Sequence, residues 1–157
     1  VENTYLPNQA ILFRLSYKNI EKVYFRLVKL PHLEQQNLNY KNREEFIRRL
    51  IAENPSRTWE KTIDNLGDFQ QHALELSTES VAKGNYFLLA APTESFDFTA
   101  DKIAYANFEV SELAYISRRI ANGNAVELYS LNRKTGEPKN EVTVDVFSQS
   151  TNHGAGV

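Results

Sequence analysis

IAYANFEVSELAYISRR, residues Ile103 to Arg119, is the stretch whose reading decides the fold. Up to Val110 its apolar residues alternate. Ala104, Ala106, Phe108 and Val110 fall on one face of an extended chain, with Tyr105, Asn107 and Glu109 on the other. Successive side chains of a strand point to opposite faces, so a period of two marks a half-buried strand. After Ser111 and Glu112 the pattern restarts at Leu113 as a second extended run. Val110, Ser111, Glu112 and Leu113 therefore read as an inter-domain joint, with a complete domain over 1–110 and an incomplete second β domain plus tail over 111–157.

Upstream of the joint lie more runs of the same period. Ile11, Phe13, Leu15 and Tyr17 alternate with Leu12, Arg14 and Ser16, after the polar opening VENTYLPNQ and before the turn signal Lys18-Asn19. Val23 to Leu30 follows, with Val23, Phe25 and Leu27 on one face, and Pro31 closes it because proline has no amide hydrogen for a ladder. Two runs this close are expected to pair as adjacent antiparallel strands. Trp59 to Leu66 is a weaker strand candidate and Phe69 to Leu76 a better one, with His72, Leu74 and Leu76 alternating. Lys83-Gly84-Asn85 turns into Tyr86 to Ala91, a run that is apolar on both faces. Such a run suits a central sandwich strand, covered by the opposing sheet on one side and by a helix or a neighbour on the other. Pro92 ends it, and a polar loop carrying Phe96 and Phe98 leads to the joint strand.

Between Asn42 and Asn54 the period changes. Phe46, Ile47, Leu50 and Ile51 recur at helical spacing, with Arg43, Glu44, Arg48 and Arg49 off the stripe. Asn42 is a candidate N-cap, and Pro55 forces Asn54 out of helical geometry. The apolar stripe is expected to pack on a sheet edge, because exposed Phe, Ile and Leu over two turns would make an unusual patch. With five or six strand signals and one short helical insertion near 42–54, the first domain reads as an all-β antiparallel sandwich.

Downstream, Leu113 to Ser117 and Val126 to Leu131 read as strands on either side of the turn Asn122-Gly123-Asn124. Thr135-Gly136 makes a tight turn in which glycine takes positive φ, Pro138 is expected to prevent pairing, and Val142, Val144 and Val146 mark a third strand ending at Phe147. SQSTNHGAGV is tail-like. Three strands cannot enclose a core of their own. The second unit either packs on the first or borrows strands from another copy, so a homodimer through 111–147 is one expectation.

Composition bounds the function. The 157 residues are 41% hydrophobic and 11% aromatic, enough for a core, and a net charge of -2 supplies no basic field for a nucleic-acid backbone. The apolar run from Tyr86 is far shorter than the roughly 20 residues of a membrane helix, so no membrane contact is expected of this segment. With no cysteine there is no disulfide scaffold, iron-sulfur cluster or thiol nucleophile. The chain opens at Val1 without methionine or an apolar leader, which is expected of an excised segment or a processed product, any targeting signal lying outside these residues.

These residues, in their order, carry a family resemblance. KGNY and its apolar strand (Lys83 onward), YANFEVSELAYISR (Tyr105–Arg118) and VELYSLNRKTGEPKNEVTVDVF (Val126–Phe147) resemble consecutive macroglobulin domains of the bacterial alpha-2-macroglobulin family, especially in large proteins of Bacteroides-type bacteria. LSYKNIEKVYFRLVKL (Leu15–Leu30) is similar to the first two strands of such a domain. The resemblance spans most of the chain outside 43–54, and rests on the order of the motifs and on Val110-Ser111-Glu112-Leu113. It implies a fibronectin III-like macroglobulin domain followed by the start of a similar one. It also implies a structural module of a periplasmic or other cell-envelope protease inhibitor, whose domains frame a bait region and, in many members, a thioester. The partners so implied are neighbouring domains of the same polypeptide and, through the whole protein, proteases. The thioester needs a cysteine, and this segment has none.

Outside the resemblance no site assembles in the sequence. His32, His72 and His153 are widely spaced with no HxH or HExxH pairing, so no metal or other cofactor is expected. Asp97 and Asp101 bracket a loop without the glycine and glutamate spacing of a calcium loop. Gly154-Ala155-Gly156 lacks the flanking strand and helix of a phosphate loop, and no GxSxG or SxxK occurs. No catalytic residue is therefore assigned. The scaffold reading stands against two others: a carbohydrate-binding or adhesin-type sandwich with Trp59 and exposed tyrosines as its platform, and a hydrolase using Asp64, Asp68 and His72.

Overall fold

The described residues of the computed structural model are 4–31, 43–64, 66–120 and 125–145. In chain order the strands are β1 (Thr4–Tyr5), β2 (Ile11–Tyr17), β3 (Lys22–Leu30), β4 (Arg57–Thr62), β5 (His72–Thr78), β6 (Gly84–Ala91), β7 (Ala104–Val110), β8 (Leu113–Arg119) and β9 (Val126–Asn132). Among the described residues one helix, α1 (Arg43–Ala52), lies between β3 and β4. The chain divides into two compact units, Val1–Glu112 and Leu113–Val157. No helix among the described residues is long and apolar enough to cross a membrane.

The first unit is an all-β sandwich. Five strands form one sheet in the order β1-β7-β6-β3-β4, and β2 pairs with β5 alone as the second. Between them Ile11, Phe13 and Leu15 of β2 meet Val23, Phe25 and Leu27 of β3, Tyr86 and Leu88 of β6, and Phe108 and Val110 of β7. Phe13 stands edge-on to Phe25 at 5.4 Å, and Tyr86 stacks on Phe108 at 5.5 Å. Burying each of these side chains contributes about 1.5–3 kcal/mol, which is why the period of two is so strict here.

A second apolar layer covers the other face of the large sheet. Val28 and Leu30 of β3, Phe87, Leu89 and Ala91 of β6, and Ile103 pack with Phe46, Ile47 and Leu50 of α1. The helix forms because its apolar residues share one stripe, with Glu44 and Glu45 in the first turn and Arg49 in the last complementing the helix dipole. Its stripe does not rest on a sheet edge, as expected from sequence. It lies on the face of the large sheet over β6, the central strand, and its neighbour β3, where Phe87, Leu89, Val28 and Leu30 project away from the first core. Phe96 joins the same layer from the loop after β6, with the Arg26 guanidinium 4.3 Å above its ring.

Two further expectations about the first unit are corrected. β2 and β3 are not paired neighbours: β2 pairs with β5, while β3 pairs with β4 and β6. Their inward residues face each other across the core, so the Lys18–Glu21 link changes sheets, with Asn19 at φ 50°. The polar opening contains β1, which runs parallel to β7 through Thr4↔Glu109 and Tyr5↔Val110, so the large sheet is mixed. Tyr5 is buried, and its hydroxyl donates to the Leu12 carbonyl at 2.6 Å.

In the second unit β8 and β9 form an antiparallel hairpin from Leu113↔Asn132 to Arg119↔Val126. Gly136 has φ 76°, as its turn requires. Pro138 does not prevent pairing: it bridges Leu131, because Lys139 donates to the Ser130 carbonyl and Asn132 to that of Glu137, each at 2.8 Å. The bonds come from its neighbours, so its missing N–H costs nothing there. The third strand is absent over 142–145, and Glu141 has φ 59°. Val146, Phe147, the 122–124 turn, the Asn42 cap, His32, His153 and the terminal glycines lie outside the described residues.

Candidate functional site

The joint is built from β7 upward. Val110 is buried, flanked in the sheet by Gly84 of β6 and Tyr5 of β1. The Ser111 amide donates to the Tyr5 carbonyl at 3.0 Å, extending the hold of β1 by one residue. The Glu112 carboxylate pairs with the Lys83 ammonium from the turn before β6. β1, with only two residues, thus closes the end of the first unit that Val110 occupies. Within the second unit, the Leu113 carbonyl accepts from Arg133 Nε at 3.1 Å. Each joint residue is therefore tied to its own unit by backbone or charged groups.

The hairpin after the joint differs from the first unit in what it covers. Every buried apolar side chain among the described residues lies between Tyr5 and Val110. In β8 and β9, by contrast, Tyr115 is 74% exposed, Ile116 57% and Val126 57%, with Leu113, Leu128 and Tyr129 also exposed. Ile116 sits opposite Tyr129, and Ala114 opposite Leu131, so one face carries a continuous apolar strip beside the Arg118–Glu127 ion pair. A two-stranded ribbon with uncovered apolar faces is marginal alone and has the form of a partner-seeking surface.

Trp59 lies on the edge strand β4, half-buried, with its ring stacked on Phe25 at 5.0 Å and 19° between planes. One indole face is thus spent on the margin of the first core. Of the hydrolase candidates, Asp68 and His72 come together: the Asp68 oxygens lie 2.9 and 3.1 Å from His72 Nε2. The His72 bond, and then the Gln70 amide, hold the Asp68 carboxyl below the ordinary carboxylate range. Asp64 is exposed and takes no part in that pairing. The pair spans a loop in which Gly67 and Phe69 both have positive φ, so its evident effect is to fasten that loop to the start of β5.

Asp97 and Asp101 are occupied within their own loop. Asp97 Oδ1 accepts from the amide and hydroxyl of Thr99, which hold its pKa below the usual range, and Asp101 Oδ2 accepts from Thr93 and from the Asp97 amide. These bonds fold the loop so that Phe96 reaches the second core. No cluster of three metal-ligating side chains occurs among the described residues. The open end of the sandwich, where β2 stops and β7 begins, carries a cavity of about 470 Å³ that sequence reading missed. Comparison with protein-family models, with curated proteins and with solved structures found no match.

Proposed function

We infer that this chain is a scaffold segment of a larger alpha-2-macroglobulin-like protein of the cell envelope. Residues 1–112 form one macroglobulin-like module, and the β8–β9 hairpin opens the next. The observation that carries the reading is the hairpin itself. It follows the closing strand of a sandwich after two residues and exposes Tyr115, Ile116 and Val126, side chains that a further sheet would cover. A chain of such modules needs a short, well-held link between one last strand and the next first one, and Ser111 and Glu112 have that form. In this reading the segment performs no chemistry, its partners are the adjoining modules, and the trapping element lies elsewhere, since a thioester needs a cysteine that these 157 residues lack.

The test is protease trapping by the whole polypeptide that contains residues 1–157. A steric trap leaves the protease active site open to a small amide but shields it from a protein. Trypsin incubated with the purified polypeptide is expected to lose activity on casein while keeping it on a small chromogenic amide. Unchanged activity on casein, or equal loss on both substrates, contradicts the reading.

A further inference from the structure

We propose that the open end of the first unit, away from the joint, is a binding site for a medium-chain carboxylate, its apolar tail over Ala90 and Ala104 and its head between Lys18 and Lys102. The inner face of the large sheet tapers. Along β6 the inward residues run Tyr86, Leu88, Ala90, and along β7, read from the joint, Val110, Phe108, Ala106, Ala104. Register sets Leu88 beside Ala106 and Ala90 beside Ala104, so the small residues of the two strands coincide. Across from them, among the described residues, the second sheet contains only β2 and β5, so no further strand there closes the gap beside β2. Close packing is the norm inside proteins, and a run of alanines where neighbouring rows carry aromatics leaves space instead.

That space is the cavity of about 470 Å³, within the roughly 300–1,000 Å³ typical of small-molecule sites. Its apolar wall includes Leu15, Ile20, Val23, Ala90 and Ala104, and among the described residues its charged lining is Lys18 and Lys102. Among the described residues no carboxylate lines it and neither lysine forms an ion pair. In a chain of net charge -2, two unpaired ammonium groups beside an apolar slot select an anion with a hydrocarbon part. An alkylammonium would meet like charge, and a short anion such as acetate would leave the alanine floor unfilled. The site is independent of the scaffold reading, since it uses no residue of the joint or the hairpin.

Octanoate titrated into the whole chain, followed by methyl NMR, is the test. Saturable shifts are expected at Ile20, Val23, Ala90 and Ala104, with octylammonium and acetate binding at least about tenfold more weakly. Lys18→Ala with Lys102→Ala should weaken octanoate about tenfold, the loss expected for a charge-assisted contact. Ala104→Leu should abolish the shifts by filling the slot; the lysine variant, altered only at exposed positions, carries the test if that protein does not fold. Shifts that are absent or lie elsewhere, octylammonium binding as tightly as octanoate, or unchanged affinity in the lysine variant each overturn the proposal.

Discussion

The Phe46 ring stands edge-on to Phe87, centroids 5.3 Å apart and planes at 74°. One contact thus joins the only described helix to the central strand, and Phe46 meets Tyr105 of β7 in the same way at 5.4 Å. Phe46 covers the outer face of the large sheet together with Ile47 and Leu50, and truncating the ring opens that layer. Phe46→Ala is expected to lower the unfolding free energy by about 3–5 kcal/mol, the range for a buried phenylalanine. Urea denaturation checks this, and a loss below about 1 kcal/mol would mean that α1 is not seated on β6.

Gly84 begins β6 at φ 149°, a conformation that L side chains rarely adopt, and lies beside Val110 in the sheet. A β-carbon there would meet the end of the Lys29 side chain, which can move, so the backbone decides the cost. Gly84→Ala should cost about 1–3 kcal/mol and speed exchange of the Ser111 amide, whose partner is the Tyr5 carbonyl. Hydrogen exchange reads both effects, and unchanged Ser111 protection would separate β6 from the joint.

Asp68 gives a pH dependence of known sign. Its folded pKa is depressed, first by the His72 bond and then by the Gln70 amide. The folded chain therefore holds its proton less tightly than the unfolded chain does. The stabilisation is present above the unfolded value of about 3.9 and is lost as pH falls through the lower folded value. Asp97, held down by Thr99, acts in the same sense. Asp68→Asn should lower Tm at neutral pH and flatten its fall below about pH 4. Identical Tm profiles for the two proteins would remove the carboxylate from the account.

Trp59, the single tryptophan, separates packing from glycan binding. Its ring rests on Phe25, so Trp59→Ala should destabilise by about 1–3 kcal/mol through lost burial. A polysaccharide pull-down should show no retention by the wild-type chain. Retention that Trp59→Ala abolishes while the protein stays folded would favour the carbohydrate-binding alternative.

Alternation made the inward residues of β2, β3, β6 and β7 legible, because each buried side chain stabilises only in one phase of the pleat. It could not show which edges pair. Phe13 and Phe25 read alike whether their strands are neighbours or opposed across a core, and the structure opposes them. Two-residue β1 is too short to have a period. The helical stripe of Phe46, Ile47 and Leu50 was plain, but its seat depended on Phe87 and Leu89 projecting outward from a central strand. The break at Ser111-Glu112 shows as a restart of alternation. The alanine-floored cavity does not, because Lys18, Ala90 and Lys102 come from three separate segments that only the register brings together.

Two compact units, Val1–Glu112 and Leu113–Val157, make up the chain, and the proposed scaffold role requires the first to fold as a sandwich by itself. A fragment of residues 1–112 tests it most directly, by urea denaturation read from Trp59 emission together with amide exchange. The account predicts a single cooperative transition, with the amides of β3, β6 and β7 protected as in the whole chain. A fragment that melts without cooperativity, or that leaves those central strands exchanging freely, would contradict it.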